Sequence, residues 1–177
     1  SHEAALARIA TAIGKYWICK RAVPFVNEAQ ECLGGIGYVE ETMMPRLYRQ
    51  APLNSIWEGS GNVQCLDVLR ALGKEPETRE ALMAELAAAK GMDADYDAAF
   101  ASLPALFEDA ATMEFRSRII VERAALMLQA SVLLQAGNSE IAAAFCRSRL
   151  GNAHGLAFGT LPPDAPVALL IERAMPA

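Results

Sequence analysis

The chain has 177 residues, enough for one ordinary domain or two small ones with a real hydrophobic core. Apolar residues make up 53% and aromatics only 7%, so alanine and aliphatic residues carry the hydrophobicity, a composition that favours helix. The formal net charge of −5 argues against a general polyanion binder, and no charge-free apolar stretch approaches the ~20 residues of a membrane span.

The first predicted helix runs from about Glu3 to Leu33, with Leu6, Ile9, Ile13 and Trp17 on one face. Pro24 interrupts it, which predicts a kink or two consecutive helices. Gly34-Gly35-Ile36-Gly37 then stops the run. A short helix is expected from Met43 to Gln50, with Pro45 tolerated in its first turn. After a turn over Trp57–Asn62, Val63, Leu66, Leu69 and Leu72 stripe one face of a helix that ends at Gly73.

Pro76 opens a helix of strong formers reaching Lys90, and Asp93 is the expected N-cap of a helix to about Phe107. The longest pattern runs from about Ala110 to Gln135, with Phe115, Ile119, Leu126 and Leu133 as its core face. A last full helix spans Ser139–Leu150. A Gly- and Pro-rich tail follows, with a short apolar element near Val167–Ile171. No strand pattern competes, so the expected class is all-α, an antiparallel helix bundle with short connections. A seam near Gly73–Pro76 divides a motif-bearing part, residues 1–75, from an additional helical region of the same bundle, residues 76–177.

Cys19, Cys32, Cys65 and Cys146 form no CxxC pair, and two histidines are too few to suggest a metal site. Reduced thiols in a cytoplasmic protein without a secretory leader are the expectation.

Three motifs carry chemistry. Gly34-Gly35-Ile36-Gly37-Tyr38 reads either as a helix C-cap or as backbone open to a phosphate or adenosine. Glu58, between Trp57 and Gly59, reads either as a surface-turn carboxylate or as a general base desolvated by its aromatic neighbour. Ser60 and Asn62 suit helix capping and equally suit a cofactor oxygen at a helix N-terminus. Arg46, Tyr48 and Arg49 read either as a salt-bridge and stacking face or as a basic stripe facing an anionic cofactor. Arg116, Arg118, Arg123, Arg147 and Arg149 fall on two helices that also carry glutamates.

Taken together, Glu31-Cys32-Leu33-Gly34-Gly35-Ile36-Gly37-Tyr38 and Ile56-Trp57-Glu58-Gly59-Ser60 resemble the glycine-rich helix end and the catalytic-glutamate loop of the acyl-CoA dehydrogenases. Pro52–Asn62, Cys65–Arg70 and Ala144–Gly151 are similar to the DNA alkylation-response (AidB-type) branch of that family. The resemblance implies an FAD-dependent enzyme that oxidises an acyl-CoA thioester, with Glu58 abstracting the α-proton. It implies cofactor contacts from Glu31, Gly34 and Gly35 across a subunit interface, and from Ser60 and Asn62 beside the base. Glu31 stands where many relatives have glutamine, and Ser60 where threonine is common. A homotetramer is implied for the full-length protein, with the fragment alone inactive.

That branch also implies duplex DNA as a partner, with the five arginines as candidate contacts and the dehydrogenase activity vestigial. Bulk charge does not favour this. Residues 76–177 carry 8 Lys+Arg against 13 Asp+Glu, whereas residues 1–75 are balanced at 8 and 8. The blandest alternative is an oligomerisation bundle alone.

Overall fold

Ser1 begins the first helix by accepting the Ala4 amide on its hydroxyl, and α1 (His2–Cys32) then runs unbroken to the glycine loop. The computed structural model describes residues 1–176. Pro24 lies inside α1 without dividing it, so of the expected kink or two consecutive helices the second is excluded. A proline removes one backbone bond, and α1 continues because its turns pack against the elements that follow it in the chain. Its buried face is Ile9, Ala12, Ile13 and Tyr16, with Leu6 and Trp17 half-buried at the margins.

Leu33 and Gly34 close α1 through amide bonds to the carbonyls of Gln30 (3.2 Å) and Glu31 (2.9 Å). Gly34 has φ +61°, the left-handed conformation that glycine adopts without strain. The single turn α2 (Gly35–Tyr38) and the short α3 (Met44–Gln50), opened by buried Pro45, lead through a 3-10 turn at Ala51–Ser55 into the Glu58 loop.

Next comes α4 (Gly61–Lys74), which packs on α1. Its buried residues are Gly61, Cys65, Val68, Ala71 and Leu72. The expected stripe is therefore corrected: Val63 is 55% exposed and Leu66 44%. Small residues at Gly61, Cys65 and Ala71 let α4 approach α1, so of the expected stripe Leu72 is buried and Leu69 half-buried. Arg8 fastens the pair. It donates to both carboxylate oxygens of Asp67 (2.8 and 3.1 Å) and to Glu75 at 3.4 Å, while Arg70 also pairs with Asp67. Glu75 alone separates α4 from α5 (Pro76–Ala87), and buried Thr78 donates its hydroxyl to Glu75 and Ala71 carbonyls.

Internal contacts divide the chain into two units. The first comprises Ser1–Arg79 with Glu114–Glu122, and the second Glu80–Met113 with the chain from Arg123 onward. In the second, Asp93 caps α6 (Ala94–Ser102) through the Tyr96 amide. Tyr96 is fully buried and donates its hydroxyl to the Leu86 carbonyl at 2.6 Å. Ser131 donates to the Glu85 carbonyl, and Gln135 to the Glu85 carboxylate.

The long helix expected from Ala110 starts later. Asp109 caps a 3-10 turn at Ala110–Thr112, and α7 spans Ser117–Gln135. Phe115 therefore lies outside α7 and is 92% exposed, and Ile119 is exposed as well. Within the first unit α7 buries Ile120 and Val121. Within the second it buries Ala124, Ala125, Leu126, Met127 and Ala130. The second unit closes with α8 (Ser139–Arg149), which contacts α6, and α9 (Val167–Ala174). The described residues form helices and irregular segments only, and no helix is long and apolar enough to cross a membrane.

Candidate functional site

The Glu58 loop is held from beneath by its backbone. Ile56 and Trp57 amides both donate to the Leu53 carbonyl, at 2.9 and 3.1 Å. Lys15 on α1 reaches up to donate to the carbonyls of Asn54 and Trp57, the latter at 3.2 Å. Gln64 Nε2 donates to the Glu58 carbonyl at 3.0 Å. These bonds hold Glu58 at φ +53°, a left-handed conformation uncommon for a side-chain-bearing residue. Gly59 follows at φ +103°, where an added Cβ would lie 2.5 Å from Gln64 Nε2.

The Glu58 side chain points into solvent, and Trp57 is itself 53% exposed. Among the described residues, Trp57 and its neighbours leave this carboxylate exposed.

Ser60 caps α4 with extended backbone but makes no side-chain bond to its first turn. Gly61 lets α1 come close: an added Cβ would meet Lys20 Cε at 2.6 Å. Asn62 Oδ1 accepts a bond from Arg118 Nε at 2.8 Å. Beneath this corner lie two buried groups, Tyr16 and Cys65. Burial pushes the Tyr16 hydroxyl up and the Cys65 thiol up to about 11, opposed in both by the positive charge of Arg118.

The glycine loop sits at the far end of α1. A Cβ at Gly34 or Gly35 would meet nothing within 4 Å, so both backbones are open to a ligand. Gly37 is different, because a Cβ there would fall 2.2 Å from the Gln30 carbonyl oxygen. Glu31 is exposed in the last turn of α1. An open groove of about 710 Å³ lies alongside, bordered by Gln30, Tyr38, Pro45 and Tyr48 and by the Glu40–Arg49 fork. Arg49 thus belongs to the expected salt-bridge face, and its guanidinium holds the Glu40 carboxyl below its usual range.

The structure does not bring the two motif loops together. From Lys15, under the Glu58 loop, to the end of α1 the helix rises on the order of 25 Å at about 1.5 Å per residue. The five arginines are also divided. Arg116 and Arg118 belong to the first unit, and Arg123, Arg147 and Arg149 to the second. Arg147 pairs with Asp164 at 2.7 Å.

Sequence reading missed Lys15 and Gln64 as supports of the loop. Gln64 lay in view, six residues after Glu58, whereas nothing local marks Lys15, whose partners come some forty residues later.

The residues at the Glu58 corner leave polar groups that could meet an acceptor oxygen on a ligand. Ser60 keeps its hydroxyl off the α4 first turn, and Asn62 retains its amide nitrogen as a donor. The glycine loop adds backbone free of Cβ obstruction.

Comparison with known proteins agrees with the fold and the family resemblance. Residues 1–73 match the family model "Acyl-CoA dehydrogenase, C-terminal domain". AidB of Escherichia coli (strain K12) is 42% identical over 154 residues, which is 87% of this chain and 28% of that protein. Acyl-CoA dehydrogenase family member 11 of Caenorhabditis elegans is 50% identical over 74 residues, 41% of this chain and 12% of that protein. The chain thus spans little more than a quarter of the length of that AidB protein. Among solved structures, Caenorhabditis elegans ACDH-11 in complex with C11-CoA superposes with a TM-score of 0.68 at 29% identity. That match covers 85% of this chain and 30% of the other. Residues 1–73 thus belong to the acyl-CoA dehydrogenase C-terminal domain family, and over 87% of its length the chain is similar to AidB.

Proposed function

We propose that this chain is the C-terminal part of an FAD-dependent dehydrogenase in which Glu58 removes the α-proton of an acyl-CoA thioester. The observation that carries this is the Glu58 loop itself. Lys15 and Gln64 fix the backbone of an outward-facing carboxylate, and two residues suited to cofactor contact follow it within one helical turn.

FAD, when bound, supplies a hydride acceptor that no side chain offers. Ser60 and Asn62 bind and orient it beside the base. Gly34 and Gly35, at the far end of α1, would meet another stretch of cofactor across a subunit boundary. Glu31 would accept from a donor on the facing subunit. In this reading the full-length protein is a homo-oligomer, a tetramer. Phe25, Ile36, Tyr38, Ile56 and Trp57, all exposed here, supply apolar surface for its contacts.

Glu58 becomes an effective base only when substrate and neighbouring protein exclude water from it. The 177-residue chain alone leaves it solvated and is inactive.

The test is Glu58→Gln in the full-length protein, followed by anaerobic flavin absorbance on addition of straight and branched acyl-CoAs. FAD remains bound while bleaching slows by roughly 10²–10⁴-fold, the range for loss of a general base. Bleaching at the wild-type rate removes Glu58 from this role.

A further inference from the structure

We infer that Arg118 is a positioning residue for the proposed cofactor site, holding the Asn62 side-chain oxygen so that its amide nitrogen faces the ligand as a donor. The inference rests on the reading of Asn62 as a cofactor contact. It adds a residue from outside the segment matched by the family model, which ends at residue 73.

The chemistry of the bond fixes the orientation. An arginine Nε–H can only donate, so the Asn62 atom 2.8 Å from it must be the carbonyl oxygen. An exposed asparagine with no such partner turns over freely and offers oxygen or nitrogen with equal ease. With Oδ1 engaged, Nδ2 is left to donate, and the site selects an acceptor oxygen on its ligand.

Arg118 is well placed to impose this. It lies in the first turn of α7, where Ser117, Ile120 and Val121 are all buried, so the guanidinium is carried by an anchored helix start. Its charge is felt at both Tyr16 on α1 and Cys65 on α4, which sets it over the corner those helices form. The bond spans 56 residues of sequence, so no local turn produces it.

The experiment uses the full-length protein and measures FAD affinity by titrating the apoprotein, the visible circular dichroism of the bound flavin, and the melting temperature. Arg118→Gln is expected to weaken FAD binding roughly fivefold to tenfold, in line with the loss of one charge-assisted bond. Asn62→Ala weakens it at least as much, and the double variant is no weaker than Asn62→Ala alone. Asn62→Asp keeps an acceptor for Arg118 but has no donor, so it folds and still loses FAD affinity.

Arg118→Gln and Asn62→Ala effects that simply multiply would overturn the inference, since Arg118 would then act by another route. So would Asn62→Asp binding FAD like the wild type. Unchanged FAD binding by Asn62→Ala would instead remove Asn62 from the cofactor site, and the role of Arg118 with it.

Discussion

Gly35 and Gly37 stand two residues apart and carry opposite constraints. A methyl group at Gly37 would press on the Gln30 carbonyl, a backbone atom that cannot swing aside. Gly37→Ala is therefore expected to cost about 1–3 kcal/mol in urea unfolding, as overpacking does. Gly35→Ala meets only open space within a helical turn, so its folding stability stays within about 0.5 kcal/mol of the wild type. In the full-length protein the same change weakens FAD retention if the backbone there approaches the cofactor. A Gly35→Ala protein with unaltered FAD affinity would mark that glycine as a helix-stop residue alone. The sequence reading grouped these glycines as one motif, and only the carbonyl opposite Gly37 separates the structural member from the open ones.

Helix ends were legible from single residues, helix faces much less so. Gly34 and Asp93 act through bonds with chain neighbours a few residues away and Pro45 through its fixed φ, so local sequence carries the signal. The buried face of α4 depends on what α1 accepts. The answer was Gly61, Cys65 and Ala71 rather than Val63 and Leu66. The same limit moved the start of α7 past Phe115. The pairing that fastens α1 to α4 was equally invisible, because Arg8 and Asp67 are 59 residues apart.

That pairing has a pH signature. The Arg8 guanidinium, followed by Arg70, holds the Asp67 carboxyl below its ordinary value of 3.8. A carboxylate depressed on folding stabilises fully above that ordinary value, and its contribution fades as pH falls through the folded one. Thermal melts should therefore show Asp67→Asn below the wild type by about 1 kcal/mol at pH 7, with the two converging below about pH 4. A constant gap down to pH 2 would mean that the substituted amide disturbs packing rather than charge.

At the scale of the whole molecule, each unit contains one buried thiol. Cys65 lies in the first, and Cys146 in the second, where burial and nearby Asp93 push it up to about 12. Cys32 is exposed. A disulfide reagent at pH 8 is expected to label Cys32 at once and to reach Cys65 and Cys146 only as their units open. Peptide mapping along a urea series would then read the two units separately. Cys65 reacting as fast as Cys32 in native buffer would contradict the packing of α4 on α1. At this scale the sequence was most informative: the helical class and the family were both readable. The reach of Arg118 back to Asn62 was not, because it joins positions that only folding brings together.

The left-handed backbone at Glu58 sets chemistry against comfort. Glycine settles at such a dihedral more easily than glutamate, by roughly 1–2 kcal/mol, and asparagine tolerates it better than most residues that carry a side chain. A library randomised at position 58 should therefore give two different winners. Selection for folded protein alone will enrich asparagine and glycine, and, with Glu58 as the proposed base, selection of the full-length protein for acyl-CoA oxidation will return glutamate. If the fold-only selection also returned glutamate, the carboxylate would be a structural residue, and the residue a folding screen rejects would no longer mark where the chemistry is done.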